Sequence, residues 1–382
     1  MGVDLKRGAL MNIILTYDPR WEYTPQDHPP VWASLDTVDY VTELLENCDC
    51  RSIRCKADYT LETTLRQISI KHPGSIVFWL NEFMPTDSGK ENFTVKLIEE
   101  VGLRHTGPCS DALAIGLDKE ATKNVFRKLG LPTPESIVVN PGQDSYLSKL
   151  SHWNRDVLIK PLLQGNSRGI DEFSIVGSGD TESIRIKVEQ IHDVFNEPAL
   201  IEAYIGGSGA RELSIPLLLS FDGGVGELPI VEIDLLKIPS VQGKYRYLTR
   251  EIKAKGHYQK NQVELSQETR DYLYAEVARI INEIGCKDMT RVDLRIDSTG
   301  LYFIEVNVNP CKTKFNSSLM TSAYSLGLKY EELIAFIPYQ AMMKYRIDPP
   351  TKLGELVEPV NKLIEQSNVG EYSHTQFVDH QI

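Results

Sequence analysis

Two runs near residue 300 carry oxygen donors at a spacing that suits a metal ion. In a strand, side chains alternate between faces, so Arg291, Asp293 and Arg295 share one face of the run 290–296, and Val292, Leu294 and Ile296 share the other. In the run 301–308, Ile304, Val306 and Val308 are expected to bury, leaving Glu305, Asn307 and Asn309 on the opposite face. The intervening Asp297, Ser298, Thr299 and Gly300 read as a hairpin turn. Asp293, Glu305 and Asn307 then converge beside Arg291. Two carboxylates and an amide oxygen are hard ligands, suited to Mg2+ held between protein and phosphate oxygens. A solvated hairpin face is the plainer reading, and it fits poorly where three such oxygens meet.

A second set of residues suits an anion. Lys160 ends the apolar run 157–160 just before a loop of small residues, 164–169, whose backbone N–H groups can approach the same anion that the ammonium meets. Asp118 and Lys119, followed by Gly130, Leu131, Pro132, Thr133 and Pro134 just before a strand, read as a helix–turn–strand junction. Glu202 and Glu212 flank a glycine-rich turn; one suits an adenine amine and the other ribose hydroxyls. The usual nucleotide loops are missing, with neither a Gly-x-x-x-x-Gly-Lys-Ser/Thr nor a Gly-x-Gly-x-x-Gly opening a helix. The turn at 206–209 lacks the closing glycine of a nucleophile elbow.

The elements that must position these groups follow from periodicity. Runs 12–16 and 75–80 read as strands and 34–47 as a helix, giving a small, mostly parallel sheet over 11–105. A helix is expected over 111–130, strands at 136–139, 157–160, 172–176, 199–204 and 213–219, and a helix near 182–195. Residues 240–262 are polar and basic with weak period, as expected of a long functional loop. Leu273, Val277, Ile280, Ile281 and Ile284 mark one face of a helix over 268–284, ended by Gly285. The chain is expected to divide at 11–110, 111–198, 199–345 and 346–382, the last a helix and tail.

Composition narrows the function classes. The 382 residues, 41% hydrophobic and 25% charged, describe a folded protein of two or three units. A net charge of −12 argues against a broad nucleic-acid footprint, and no apolar run approaches bilayer-spanning length. The first ten residues do not read as a secretory signal. Six cysteines without scaffold spacing fit a reduced, cytoplasmic protein, and Cys48, Cys50 and Cys55 lack the partners of a zinc site.

In this order the motifs resemble the ATP-grasp superfamily, most closely its D-alanine–D-alanine ligase branch, over roughly residues 111–335. The resemblance implies an α/β and α+β chain in which an N-terminal α/β domain precedes two subdomains that sandwich ATP. It implies phosphate contacts from Lys119 and Lys160 and a closing loop at Gly165, Asn166, Ser167, Arg168 and Gly169. It places adenine beside Glu202, Ala203, Tyr204 and Ile205, and ribose at Glu212. Asp293, Glu305 and Asn307 would hold two Mg2+ ions, with Mn2+ as a substitute. Segment 240–262 resembles the family's mobile loop, with Lys253 or Lys255 on phosphate, and Ser317 or Ser318 would hold an acceptor carboxylate.

The implied reaction is ATP-dependent carboxylate–amine ligation through an acyl phosphate, with Arg291 on the tetrahedral oxyanion. The substrates implied are amino acids, and the implied assembly is a homodimer. The pattern departs at residues 309–318, where Cys311 replaces a glycine, and near residues 31–34, where the family's ammonium-binding Glu has no counterpart. These departures favour a specialised ligase over cell-wall D-alanine–D-alanine synthesis. A nucleotide-binding regulatory module without turnover is the reading of another class.

Overall fold

Apolar side chains on both faces of the first strand force helices onto both sides of the sheet it joins. The computed structural model describes residues 10–22, 35–85, 91–150, 152–207, 209–240, 244–255, 258–310, 312, 314 and 317–367. In β1 (Met11–Tyr17), Ile13 and Leu15 pack with Val38, Val41 and Leu45 of α1 (Leu35–Asn47), whereas Ile14 packs with Leu61 and Leu65 of α2 (Leu61–Lys71). The sheet also contains β2 (Cys50–Lys56), β3 (Ile76–Trp79) and, after the ribbon β4 (Phe83–Pro85) and β5 (Glu91–Phe93) and helix α3 (Thr94–Val101), the short β6 (Arg104–His105). Its order is β2-β1-β3-β6, all parallel. Strand β2, which carries Cys50 and Cys55, is absent from the sequence reading because its apolar alternation is broken by Arg51 and Arg54.

The single helix expected over 111–130 is two, α4 (Ser110–Leu117) and α5 (Lys119–Lys128). Asp118 breaks it: its backbone is extended (φ −79°, ψ 106°), and its carboxylate accepts the N–H groups of Glu120 and Ala121 at 2.9 and 3.0 Å. The break gives α5 its own axis, along which Lys119, Lys123 and Phe126 are all buried. Helix α4 presses on the hairpin near residue 300 at Gly116, where a Cβ would lie 2.5 Å from Val308 Cγ2.

A second, antiparallel sheet contains β7 (Ser136–Val139), β8 (Asp156–Pro161), β9 (Ile175–Gly177) and β10 (Ala199–Ala203), in the order β7-β10-β8-β9. Helices α6 (Tyr146–Leu150) and α7 (Thr181–Phe195) cover it. Strand β9 starts later than the expected 172–176, because residues 171–174 close a turn in which Ser174 N–H bonds Asp171 O at 3.1 Å.

The third sheet runs β14-β13-β11-β15-β16, with β12 added on β11. Its members are β11 (Arg211–Leu219), β12 (Val225–Glu227), β13 (Val231–Ile233), β14 (Lys260–Gln262), β15 (Asp288–Asp297) and β16 (Gly300–Asn307). The expected loop 240–262 thus contains β14 and a short helix, α8 (Arg250–Lys255). Helix α9 (Gln267–Ile284) lays Leu273, Val277, Ile280 and Ile281 against Leu213, Ile215, Val292 and Leu294, which leaves the other face of the hairpin open for chemistry. Helices α10 (Ser318–Ser325), α11 (Tyr330–Lys344) and α12 (Thr351–Gln366) return the chain to the first sheet, where Phe336 and Ile337 join the core around Ile13 and Leu15. None of the described helices is long and apolar enough to cross a membrane.

Candidate active site

The hairpin turns the expected residues to one face, with one correction. Asp293 stands opposite Glu305, and Arg291 stands opposite Asn307. Between Asp293 and Leu294 the register shifts, so Leu294 pairs with Phe303 and residue 304 is the extra one of a bulge. Phe303 therefore takes the buried position expected for Ile304, which stays half-buried. The bulge lets Glu305 and Asn307 keep the same face as Asp293.

Asp293 is the most heavily bonded group of the set. It accepts Arg291 Nε and Nη2 at 2.8 and 2.6 Å, Ser214 Oγ at 2.7 Å and Asn307 Nδ2 at 3.0 Å. Burial pushes its carboxyl up, Arg291 pulls it back, and the Glu305 carboxylate pushes it up again; the net direction is upward. Burial also pushes Glu305 up, but Lys253, Arg291, Lys160 and Lys119 outweigh it and hold that carboxyl below its usual range. Four cations from four elements thus face one carboxylate.

The donor set fits a divalent cation. Two carboxylates lie side by side, and Asn307 turns its amide nitrogen to both, at 3.0 and 3.4 Å, bridging them as a cation would. Among the described residues no three or more His, Cys, Asp and Glu side chains converge on one point. Asp293, Glu305 and Asn307 would hold such a cation by hard oxygen ligands, leaving the rest of its shell to other oxygens.

Lys119 donates to Leu162 O at 3.1 Å and Gln164 O at 2.6 Å, which holds it at the mouth of the small-residue loop. In that loop Asn166 (φ 52°) and Ser167 (φ 56°) are both left-handed. Consecutive non-glycine residues in that region are the sort of strain stored at ligand clamps. Gly169 is left-handed too, and a Cβ there would stand 2.4 Å from Pro161 Cγ.

Glu202, the acid expected on the adenine side, is flanked by two lysines, and its buried Oε2 has no hydrogen-bond partner. Its carboxylate lies between Lys160 Nζ, which donates to Oε1, and Lys123 Nζ, 2.9 Å from Oε2. Burial pushes Glu202 up, yet the two lysines together bring it down to about 2. Sequence reasoning missed Lys123, although its place four residues after Lys119, beside Phe126, puts it on the same buried face. Glu212, by contrast, keeps part of its surface open while Arg295 Nε bonds it at 2.9 Å. Tyr204 is buried among Ile175, Tyr245 and Tyr247, its hydroxyl donating to Arg246 O at 3.1 Å. Ala203 and Ile205 are buried as well.

Lys253, on α8, joins the charges at Glu305, whereas the side chain of Lys255 lies outside the described residues. Ser317 caps α10 and Ser318 is its first residue, both buried. Residues 31–34 and Cys311 also lie outside the described residues.

The D-ala D-ala ligase C-terminus family model matches residues 125–337. An uncharacterised protein, y4sG, of Sinorhizobium fredii is 28% identical over 84% of this chain and 92% of its own length. The D-alanine–D-alanine ligase of Actinobacillus pleuropneumoniae serotype 5b is 30% identical over 62% of this chain and 72% of its own. Among solved structures, the D-alanine–D-alanine ligase of Bacillus anthracis in complex with ATP superposes with a TM-score of 0.63 at 18% identity, covering 88% of this chain and 99% of that one. With the ATP-grasp fold in place and the family model spanning more than half of its length, the chain belongs to the D-ala D-ala ligase C-terminus family and is a D-alanine–D-alanine-ligase-like, ATP-dependent ligase.

Proposed function

We propose that the chain joins the carboxylate of one amino acid to the amine of another through an acyl phosphate, releasing ADP and phosphate. The observation that supports this is the convergence of Lys119, Lys160, Lys253 and Arg291 on Glu305 beside Asp293. A ring of cations around two carboxylates suits a triphosphate carried with a divalent metal, and suits a simple surface poorly.

In the first step a substrate carboxylate oxygen attacks the γ-phosphorus, and the bond to the bridging oxygen of ADP breaks. Lys119, Lys160 and Lys253 neutralise charge on the phosphate oxygens and keep them in line. Asp293, Glu305 and Asn307 would hold Mg2+, which supplies charge neutralisation between the phosphates. In the second step the amine nitrogen attacks the acyl carbon, phosphate leaves, and the nitrogen loses a proton. Arg291, fixed by its fork on Asp293, lies where oxyanion charge would develop. Segment 244–262, with α8, would cover the site and exclude water from the acyl phosphate.

Pairwise incubation of amino acids with Mg-ATP, with the product read by mass, tests the reading. The expected result is ADP release stimulated by particular pairs, D-alanine with itself among those examined. Nucleotide binding without stimulated release by any pair would favour a binding module instead.

Lys119 adds a pH signature. Burial, then the neighbouring Lys160 charge, pushes its ammonium down to about 8, while Glu305, Glu197 and Glu202 pull the other way. Bound polyphosphate favours the charged form, so nucleotide binding above pH 8 should take up a proton and weaken by up to about tenfold per pH unit. Titration calorimetry in two buffers at pH 8.5 reads the proton directly. Lys119→Arg, which stays charged, should flatten the profile, and a flat wild-type profile from pH 7 to 9.5 would refute it.

A further inference from the structure

The parallel sheet holds a second group of polar side chains that the hairpin chemistry leaves unused. Its order, β2-β1-β3-β6, reverses direction between β1 and β3. Open α/β sheets take their ligands beyond the carboxyl ends of the strands at such a reversal. Here Thr16 is the next-to-last residue of β1, and Leu80, Asn81 and Glu82 directly follow β3. Thr16 Oγ1 and Asn81 Oδ1 are buried without a hydrogen-bond partner. Asn81 commits its Nδ2 to Phe83 O at 3.0 Å and Thr94 Oγ1 at 2.6 Å. Buried polar atoms left open in this way call for a ligand.

Charge accounting singles out Glu82. Asp18, at the end of β1, is matched by Arg20 at 2.5 Å. No ion pair among the described residues reaches Glu82; its carboxylate bonds Asn309, which in turn accepts from Lys312 Nζ. Lys312 also faces the buried Asp288, so its charge is shared between two acids. Burial pushes the Glu82 carboxyl up to about 7 against the pull of Lys312 and the Asn309 bond. Yet part of its surface stays open. A partly open acid whose neighbouring lysine is shared with a second acid is complementary to a cation.

Its distance from the hairpin says which cation. Asn309, which bonds Glu82, follows Asn307 by two residues just past the end of β16, so at most about 7 Å of chain separates them. An amino acid with a hydrogen bond of about 3 Å at either end covers that span.

We propose that Glu82 anchors the ammonium group of an amino-acid substrate, so that this site selects zwitterionic amino acids over plain carboxylates. The inference rests on the ligase reading for which end reacts: the ammonium sits at Glu82 and the carboxylate points toward Arg291 and Glu305.

Titration calorimetry on the full chain, with Mg2+ and a non-hydrolysable ATP analogue, tests it. The ligands are the twenty amino acids and D-alanine, each beside its des-amino counterpart, such as propionate for alanine. At least one amino acid should bind about 30-fold tighter than its counterpart, as a charged hydrogen bond allows. Glu82→Gln should lose that margin, Glu82→Asp should recover part of it, and both should keep the affinity for the ATP analogue and the ligand-free melting temperature. Equal binding of amino acid and counterpart, an unaltered margin in Glu82→Gln, or no binding by any amino acid overturns the proposal. ADP release from Mg-ATP is read separately. Release driven by des-amino acids would leave the ligase and sink the anchor, whereas tight amino-acid binding at Glu82 without release would do the reverse.

Discussion

Replacing Glu305 by Gln is expected to lower ADP formation by about a thousandfold or more, at a melting temperature within a few degrees of the wild type. The size follows from the loss of one of two carboxylates that would hold the divalent cation, whose charge stabilisation is worth several kcal/mol, and about 4 kcal/mol is a factor of roughly a thousand. The small effect on folding follows from what surrounds the group. Glu305 and Asp293 repel each other across the hairpin, and each raises the cost of ionising the other in a buried place. Gln is isosteric and removes that repulsion while leaving Arg291 and Ser214 on Asp293. Against this gain, four cations lose one of their counter-charges. The two changes oppose each other, so stability moves little while turnover collapses. Steady-state ADP release beside thermal unfolding checks both. Retained activity would remove Glu305 from the chemistry, and unfolding would make it structural.

How much of this was legible in the sequence depends on whether the signal was local. The hairpin was, because Asp293, Glu305 and Asn307 alternate with Val292, Leu294, Val306 and Val308, and period two survives into the structure. Residue 304 was misplaced because a bulge is a property of two strands in register: nothing in the run 301–308 by itself says that one residue will be skipped. The helix break at Asp118 did carry a local signal, an N-capping acid before Lys119, but apolar periodicity continued across it and suggested one long helix. The lysine pair at Glu202 was hidden because its strand gives no hint of Lys123, which arrives from α5. Glu82 was invisible for the same reason. Its meaning comes from Asn309 and Lys312, which reach it from the far end of the chain. The residues proposed for phosphate stand in ordered motifs, whereas Glu82 meets its neighbours through long-range pairs with no spacing to read.

The Lys123–Glu202–Lys160 group carries the largest expected effect on stability. Glu202→Ala leaves two buried ammonium groups with no anion between them, and breaking such a group costs about 3–5 kcal/mol, a fall in melting temperature on the order of 10 °C. Glu202→Gln keeps the volume and one acceptor oxygen for a lysine and should cost less than Ala, which separates charge from packing. The pH dependence has a definite sign. The folded carboxyl sits at about 2, below its ordinary value near 4.5, so its contribution is complete above about 4.5 and is lost as pH falls through about 2. The stability gap between wild type and Glu202→Gln, read from denaturant unfolding, should therefore be constant from pH 7 to 5 and close by roughly 3 kcal/mol toward pH 2. A gap that stays level through acid would mean that Glu202 is held by packing and not by its lysines. Because Lys160 donates to Glu202 and also faces Glu305, the same substitution should loosen the ammonium that the proposed mechanism places on the phosphates. Weaker nucleotide binding in Glu202→Gln, at temperatures where the protein remains folded, would link the buried charge group to the chemistry of the cleft.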